Sequence, residues 1–548
     1  MKRLLTAAIG VALALPGGAE AARFAVGVAP GTDAKALARK LEARTGGSAS
    51  TIGPFAVALE VPDARGIAGM RGVTYVERLT ARRRIAFVPT DPLYARQWYI
   101  PAVRGFDSWI QRPAWLRSVK VAIIDSGIDR DHPEFRNRLV AANTFVGGSA
   151  FSDTQGHGTF VAGLIAARQD AEGIAGLAFP AQLIVAKVVR RDGVVPLEAE
   201  ARAIRWAVDR GARVINLSLG GTRDPLDPDH DSYSPLEASA VAYAVRKGAV
   251  VVAAVGNGDQ APAQPWRYAG YPAALPHVLG ASALERDGSV PMFSNRDDLF
   301  NDIAAPGDDL FSTLPRSLTS LRPTCPEQGY STCGPMEFSR PQGTSFASAI
   351  VSAGAALVRS TWPNLKADQI VAMLERSAVD QTAATGCRRC PAGRDSMTGW
   401  GRLDIAAAVN WKGPFPAPDR YEANDDAGSR AARIQRRRFV KRRASIDYWD
   451  DQNDVYAVRL RKGERVSIEL HGEKTTDVNL VLWMPGTRRL DDVRSLSGQQ
   501  VRISNNPGPK EKLSYRAQRP GRHYVQVKIS AQGAGPGPYP YTLVLVRK

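Results

Sequence analysis

Three short stretches carry side chains whose types are suited to act on one another. "RPQGTSFASAIVSAGAALV" sets Ser345 between a glycine and an alanine-rich helical pattern, "DTQGHGTFVAGLIAA" sets His157 between two glycines at the start of another, and "VAIIDSGID" sets Asp125 at the end of an apolar run. Each has a structural explanation when taken alone: a serine caps a helix, an aspartate closes a turn, and a histidine in a glycine-rich loop packs. Together they are the groups that acyl transfer needs. A serine hydroxyl is a weak nucleophile near neutrality, an imidazole with an ordinary pKa near 6.5 can take its proton and return it, and a carboxylate can orient the imidazole and stabilise its cation.

Such groups must be positioned by rigid elements. "VKVAIID", "LIVAKVV", "ARVINLSL" and "AVVVAAVG" are nearly continuous apolar or β-branched runs, too apolar for strands with one wet face. Between them lie "EAEARAIRWAVDRG" and "LEASAVAYAVRKG", which have helical period and end in glycine. The pattern predicts an α/β domain over 91–412, a parallel sheet flanked by helices, with its chemistry at the carboxyl ends of the strands.

At 548 residues the chain exceeds one core, and both flanks differ in texture from the centre. Residues 1–21 read as a secretory signal peptide, with Lys2 and Arg3, an apolar run from Leu4 to Leu15, and small residues Ala19 and Ala21 at a cleavage spacing. The implied destination is secreted or periplasmic, with no transmembrane anchor expected in the mature chain. Residues 22–90 read as a small α+β block containing the exposed basic run Ala81–Arg84. After a proline-rich linker, 413–419, residues 420–548 alternate in strand fashion, which predicts an all-β sandwich.

The formal net charge of +18 fits a polyanionic partner, yet the densest run, "RIQRRRFVKRR", lacks interleaved aromatics, so a solvated strand or loop is expected and nucleic acid is not. The cysteines form two local pairs, Cys325 with Cys333 and Cys387 with Cys390. Of three connectivities, one bridge per pair is the simplest, and "CRRC" lacks the further ligands of a zinc site.

In their order along the chain, "VAIIDSGID", "GHGTFVAG", "SLGG", "AAVGNG" and "GTSFASA" resemble the motif set of subtilisin-like serine proteases (subtilases, peptidase family S8) over roughly 91–412. The resemblance implies Ser345 as nucleophile, His157 as general base and then acid, Asp125 as its orienting carboxylate, and Asn257 as oxyanion donor beside the Ser345 N–H. It also implies a substrate-binding edge at Ser218, Leu219 and Gly220, a pocket floor at Gly270 suited to large apolar side chains, and structural calcium near Gln97, Glu134 and Asp170. The acidic stretch around Asp227, Asp229 and Asp231 reads as a solvated loop. Phe160 departs from the family pattern, which commonly has a second histidine there, and Pro315–Phe338 reads as an insertion ahead of the nucleophile. The first block resembles the family's inhibitory pro-segment and the last the bacterial pre-peptidase C-terminal domain. The expected function is a secreted serine endopeptidase acting on protein or peptide substrates, with its own pro-segment as intramolecular inhibitor. Two rivals are a non-catalytic surface protein that keeps the fold and an esterase. The first is disfavoured because all four catalytic residues are present, the second because "GTSFA" is not a GxSxG elbow.

Overall fold

A computed structural model describes residues 22–548 except 80–86, 110–112, 114–115, 228, 259–260, 416–425, 429–430, 449–451, 474–476, 488–489, 491–499 and 530–538. The signal-peptide stretch, the basic run Ala81–Arg84 and most of the linker lie outside the described residues. The chain divides into two units, one ending at Ile85 and one beginning at Ala86.

In the first unit the helix Ala34–Thr45, capped by Asp33, buries Leu37 and Leu41 against a four-stranded antiparallel sheet. This is the α+β block expected from the sequence.

The second unit is built on a seven-stranded parallel sheet in the order Ile303–Pro306, Val278–Leu284, Val250–Ala254, Val214–Leu217, Val119–Asp125, Ala181–Lys187, Leu139–Thr144. Alternation along one strand shows why the runs are apolar throughout. Val121 and Ile123 enter the core beneath the helices His157–Ala166, Thr344–Thr361 and Ala367–Ser377, while Ala122 and Ile124 enter the core beneath Leu197–Asp209 and Pro235–Arg246. Both disulfides form as the local pairs predict.

Beyond the linker, a five-stranded and a four-stranded sheet pack face to face, with Val466, Ile468 and Leu470 among the inward residues. This sandwich is not a detached module. Leu299 and Trp400 of the α/β body pack onto its core, and the Arg394 guanidinium lies 4.2 Å from the centre of the Tyr448 ring. Among the described residues no helix is long and apolar enough to cross a membrane.

One buried pair stores a pH dependence. Glu200 and Glu237, on the two helices of one face, are 3% and 2% exposed and share a side-chain hydrogen bond, so one of them carries a proton. Burial pushes Glu237 up to about 7, and burial together with Glu237 pushes Glu200 well above the carboxylate range. Because the folded state holds protons that the unfolded state releases near its ordinary 4.5, this stabilisation is complete below that value and is lost as pH rises through 7. Glu200→Gln, whose amide donates without needing a proton, is expected to flatten the decline in thermal midpoint between pH 5 and 8. A gain on the order of 2 kcal/mol at pH 8 is expected, read by calorimetry.

Candidate active site

The strand Val119–Asp125 delivers Asp125 at its carboxyl end, where the side chain is 2% exposed. Its Oδ1 accepts the Ser126 N–H at 2.7 Å, and both oxygens face His157 Nδ1, at 2.9 and 3.0 Å. His157 opens the helix His157–Ala166. The next residue must be glycine: a Cβ at Gly158 would come within 2.2 Å of the Gly127 carbonyl and 3.2 Å of Asp125 Oδ1, so a side chain would push the helix off the carboxylate.

A second buried carboxylate, which sequence reasoning missed, fixes this helix start. Asp153 accepts the Gly156 and Thr159 N–H groups at 2.9 and 2.8 Å, the Thr159 hydroxyl at 2.6 Å and the Ser126 hydroxyl at 2.8 Å, while Ser126 Oγ accepts the Gly158 N–H. The signal was an aspartate four residues ahead of His157, the first residue of that helix, whose N-cap is Gly156. Burial lowers the His157 pKa, but the Asp125 charge and hydrogen bond, with Asp153 behind them, outweigh it and leave it above 6.5.

Phe160 packs fully buried between Phe346, 4.4 Å between ring centres, and Phe338, 5.9 Å, and Phe346 in turn stacks on the His157 ring at 5.6 Å. The departure at Phe160 is therefore an apolar core contact. The insertion supplies Phe338 and lies against the start of the His157 helix, where Leu314, Leu318 and Phe338 surround Gly156.

Ser345 is the second residue of the helix Thr344–Thr361, and its Oγ donates to the Ser218 carbonyl at 3.0 Å. Ser218 uses its own hydroxyl on the Ser345 carbonyl and Ser348, with Asn216 Nδ2 donating to it. Its side chain thus locks the start of the helix that carries Ser345, while Leu219 and Gly220 carry the accessible edge. Asn257 Oδ1 accepts both the Thr344 N–H and hydroxyl, at 2.9 and 2.8 Å, which leaves Nδ2 for the cleft. That cleft, of about 240 Å³, is lined by Ser345, Asn257, Gly220, Gly270, Tyr271 and Trp266 among others. A Cβ at Gly270 would meet the Gly221 carbonyl at 2.5 Å, so bulk there would disrupt the Gly221–Tyr271 pairing before it filled the pocket.

The residues expected near calcium are only partly brought together. Glu134 Oε1 accepts the Ile174 N–H and the Tyr330 hydroxyl, while its Oε2 and Asp91 Oδ2 are buried without partners, a donor set suited to a hard cation. Burial pushes Glu134 up to about 8. Gln97 commits its amide to Ala175 and Tyr99, and Asp170 pairs with Arg168 at 2.9 Å. Among the described residues no three His, Cys, Asp or Glu side chains cluster as a metal site. In the acidic stretch Asp224 receives the Leu226 and Asp227 N–H groups and Asp227 pairs with His230.

Buried strand ends, a histidine held on a carboxylate and a serine at a helix start define a hydrolase of the serine-protease type. Comparison with known proteins gives the family: the Subtilase family model matches residues 117–401, and this chain belongs to that family. It is a subtilisin-like, serine-type endopeptidase. Thermitase of Thermoactinomyces vulgaris is 35% identical over 239 residues, covering 42% of this chain and 77% of that protein. Subtilisin DY of Bacillus licheniformis is 34% identical over 265 residues, covering 48% and 84%. Among solved structures, sphericase is similar at 27% identity over 56% of this chain and 98% of its own, with a TM-score of 0.44.

With His157 as the general base that the motif resemblance implies, the imidazole must be neutral to act, and the acid limb of kcat/KM is expected to have its midpoint above pH 6.5. Asp153→Asn keeps one of the two acceptor oxygens but removes a charge that raises the His157 pKa. It should shift that midpoint downward, measured on a small peptide substrate, and an unmoved limb would show that Asp153 acts on stability alone.

Proposed function

We propose that the protein is an exported endopeptidase that cleaves peptide bonds through an acyl-enzyme on Ser345. The observation that carries this reading is the Asp125–His157 pair beside the helix Thr344–Thr361, which carries Ser345 in its first turn. In the reaction Ser345 Oγ turns from the Ser218 carbonyl to His157 Nε2, gives up its proton and attacks the scissile carbonyl. The imidazolium is stabilised by Asp125 and then protonates the leaving amine. Water repeats the sequence to release the acid product. Asn257 Nδ2 and the Ser345 N–H receive the oxyanion, helped by the positive end of the helix Thr344–Thr361.

A peptide pairs with the edge at Leu219 and Gly220 as an added strand. The aromatic walls Trp266 and Tyr271 favour cleavage after Phe, Tyr, Leu or Met over Asp, Gly or Pro, and a profile dominated by paired basic residues would contradict this pocket. Residues 1–21 act as an export signal to the periplasm or medium, and 22–90 as a pro-segment that inhibits until it is cut. Residues 420–548 act as a pre-peptidase C-terminal-like domain.

A structural calcium ion is proposed at Glu134, with Asp91 the better-fitting second carboxylate than Asp170. The ion would supply positive charge tying the surrounding loops together. Chelator is expected to lower the thermal midpoint more than activity at moderate temperature, as for any ligand bound only by the folded state; an unchanged midpoint would remove the site.

Ser345→Ala distinguishes a nucleophile from a helix cap. A cap would cost about 1 kcal/mol of stability and leave hydrolysis intact. Loss of the nucleophile costs on the order of a million-fold in kcat, and Asn257→Ala on the order of a hundred- to a thousand-fold. The folded Ser345→Ala protein is also expected to retain residues 22–90, seen by mass spectrometry, while the wild type releases them.

A further inference from the structure

One end of the β-sandwich gathers positive charge from both sheets. In the five-stranded sheet Arg459 stands directly opposite Arg522, and in the four-stranded sheet Arg465 stands directly opposite Arg516. All four are exposed. The segments that meet at this end by register are 432–438, 459–465, 516–522 and 547–548. They hold thirteen lysines and arginines and one acidic side chain, Glu464, whose carboxylate is turned to the Arg461 N–H. None of these cations has a carboxylate partner among the described residues. Arg547 and Arg516 donate instead to backbone carbonyls, of Arg459 and Gln435 and of Gly463.

Like charges directly opposite on neighbouring strands destabilise a sheet, and this end has two such pairs, one in each sheet. A fold that carries this repulsion without neutralising acids is held ready for an external anion. The chemistry of the anion follows from the residue type: arginine forks match phosphate oxygens. The spread of the cations selects the source. They come from turns and strand ends of both sheets at one end of the sandwich, and these segments carry no aromatic residue to stack a base. Cations spread over four segments and two sheets suit a broad layer of phosphates better than a single strand.

We propose that this end of the sandwich docks the enzyme on an anionic lipid surface through headgroup phosphates, leaving the peptidase cleft free. The proposal does not depend on the serine mechanism and fails separately from it.

The test uses the full chain carrying Ser345→Ala, so that it cannot cut itself, and measures co-sedimentation with phosphatidylcholine vesicles with and without phosphatidylglycerol. Binding is expected only with phosphatidylglycerol, and loss at 0.5 M salt is expected because screening shortens the reach of surface charge. Arg516→Glu/Arg522→Glu should weaken vesicle binding by about tenfold or more, since each basic residue near such a surface contributes appreciably. The same change converts two repulsive pairs into attractive ones, so it should raise the thermal midpoint, and in the Ser345 enzyme it should leave hydrolysis of a small peptide unchanged. Arg39→Glu/Lys40→Glu, an equal change in net charge on the first unit, is the control. Absence of vesicle binding, equal loss in the control, or tighter binding to duplex DNA than to vesicles would each overturn the assignment.

Discussion

The catalytic half of the molecule depends on keeping two carboxylates, Asp125 and Asp153, out of water. A buried carboxylate is tolerated only where donors replace its hydration shell. Here they come from the chain that immediately follows: Ser126, Gly156, Thr159 and the His157 ring all donate to one or the other. Satisfying these oxygens therefore fixes the turn after the strand, the start of the next helix and the orientation of the imidazole together. Lys187, from the neighbouring strand, donates to the Ser126 and Ser152 carbonyls and places a positive charge behind the pair.

The other wall of the site is apolar. His157, Phe346, Phe160 and Phe338 form a run of rings from the imidazole into the insertion. A histidine at 160 would have brought a polar ring into a fully buried position; phenylalanine lets the core continue to the His157 ring. The insertion is anchored at several points. The Tyr330 hydroxyl donates to Glu134, the His132 ring nitrogen lies 2.8 Å from the Gly329 carbonyl, and Arg316 pairs with Asp129. A segment that sequence alone marked only as an insertion ahead of Ser345 thus packs behind the His157 ring.

What was legible in the sequence was whatever one short segment encodes. The four central strands were visible because burial on both faces demands continuous apolar runs, and Asp125, His157, Asn257 and Ser345 were visible because each sits in a small-residue motif. The edge strand Leu139–Thr144 was not, since its half-exposed residues carry no such run. Val278–Leu284 and Ile303–Pro306 were hidden by glycine, alanine and proline, which are weak strand signals. Roles that depend on partners distant in sequence were also hidden. Ser218 sits at the expected edge, yet its hydroxyl is committed to the backbone of Ser345, 127 residues away. Gln97 likewise turns its amide onto Ala175 rather than toward a metal. Motif matching assigns a position, but competition among nearby donors and acceptors decides what the side chain does there.

That competition also ties the sandwich to the cleft beside Ser345. Tyr448 covers the Arg394 guanidinium, which donates to the carbonyls of Leu299 and Asn301, with Asp302 3.7 Å away. The same loop presents Asp297, whose Oδ1 accepts the Leu299 and Phe300 N–H groups and whose Oδ2 accepts the Ala269 N–H and Arg223. Ala269 precedes Gly270, and the Arg223 carbonyl receives the Trp266 indole N–H, so both ends of this chain of contacts reach residues that line the cleft. Asp302 is 2% exposed in this junction, and burial pushes it up to about 7 in spite of Arg394. The pocket wall rests on a buried arginine with an aromatic lid supplied from the sandwich. The sequence boundary near 413 marks a change of architecture, while the packing runs straight across it.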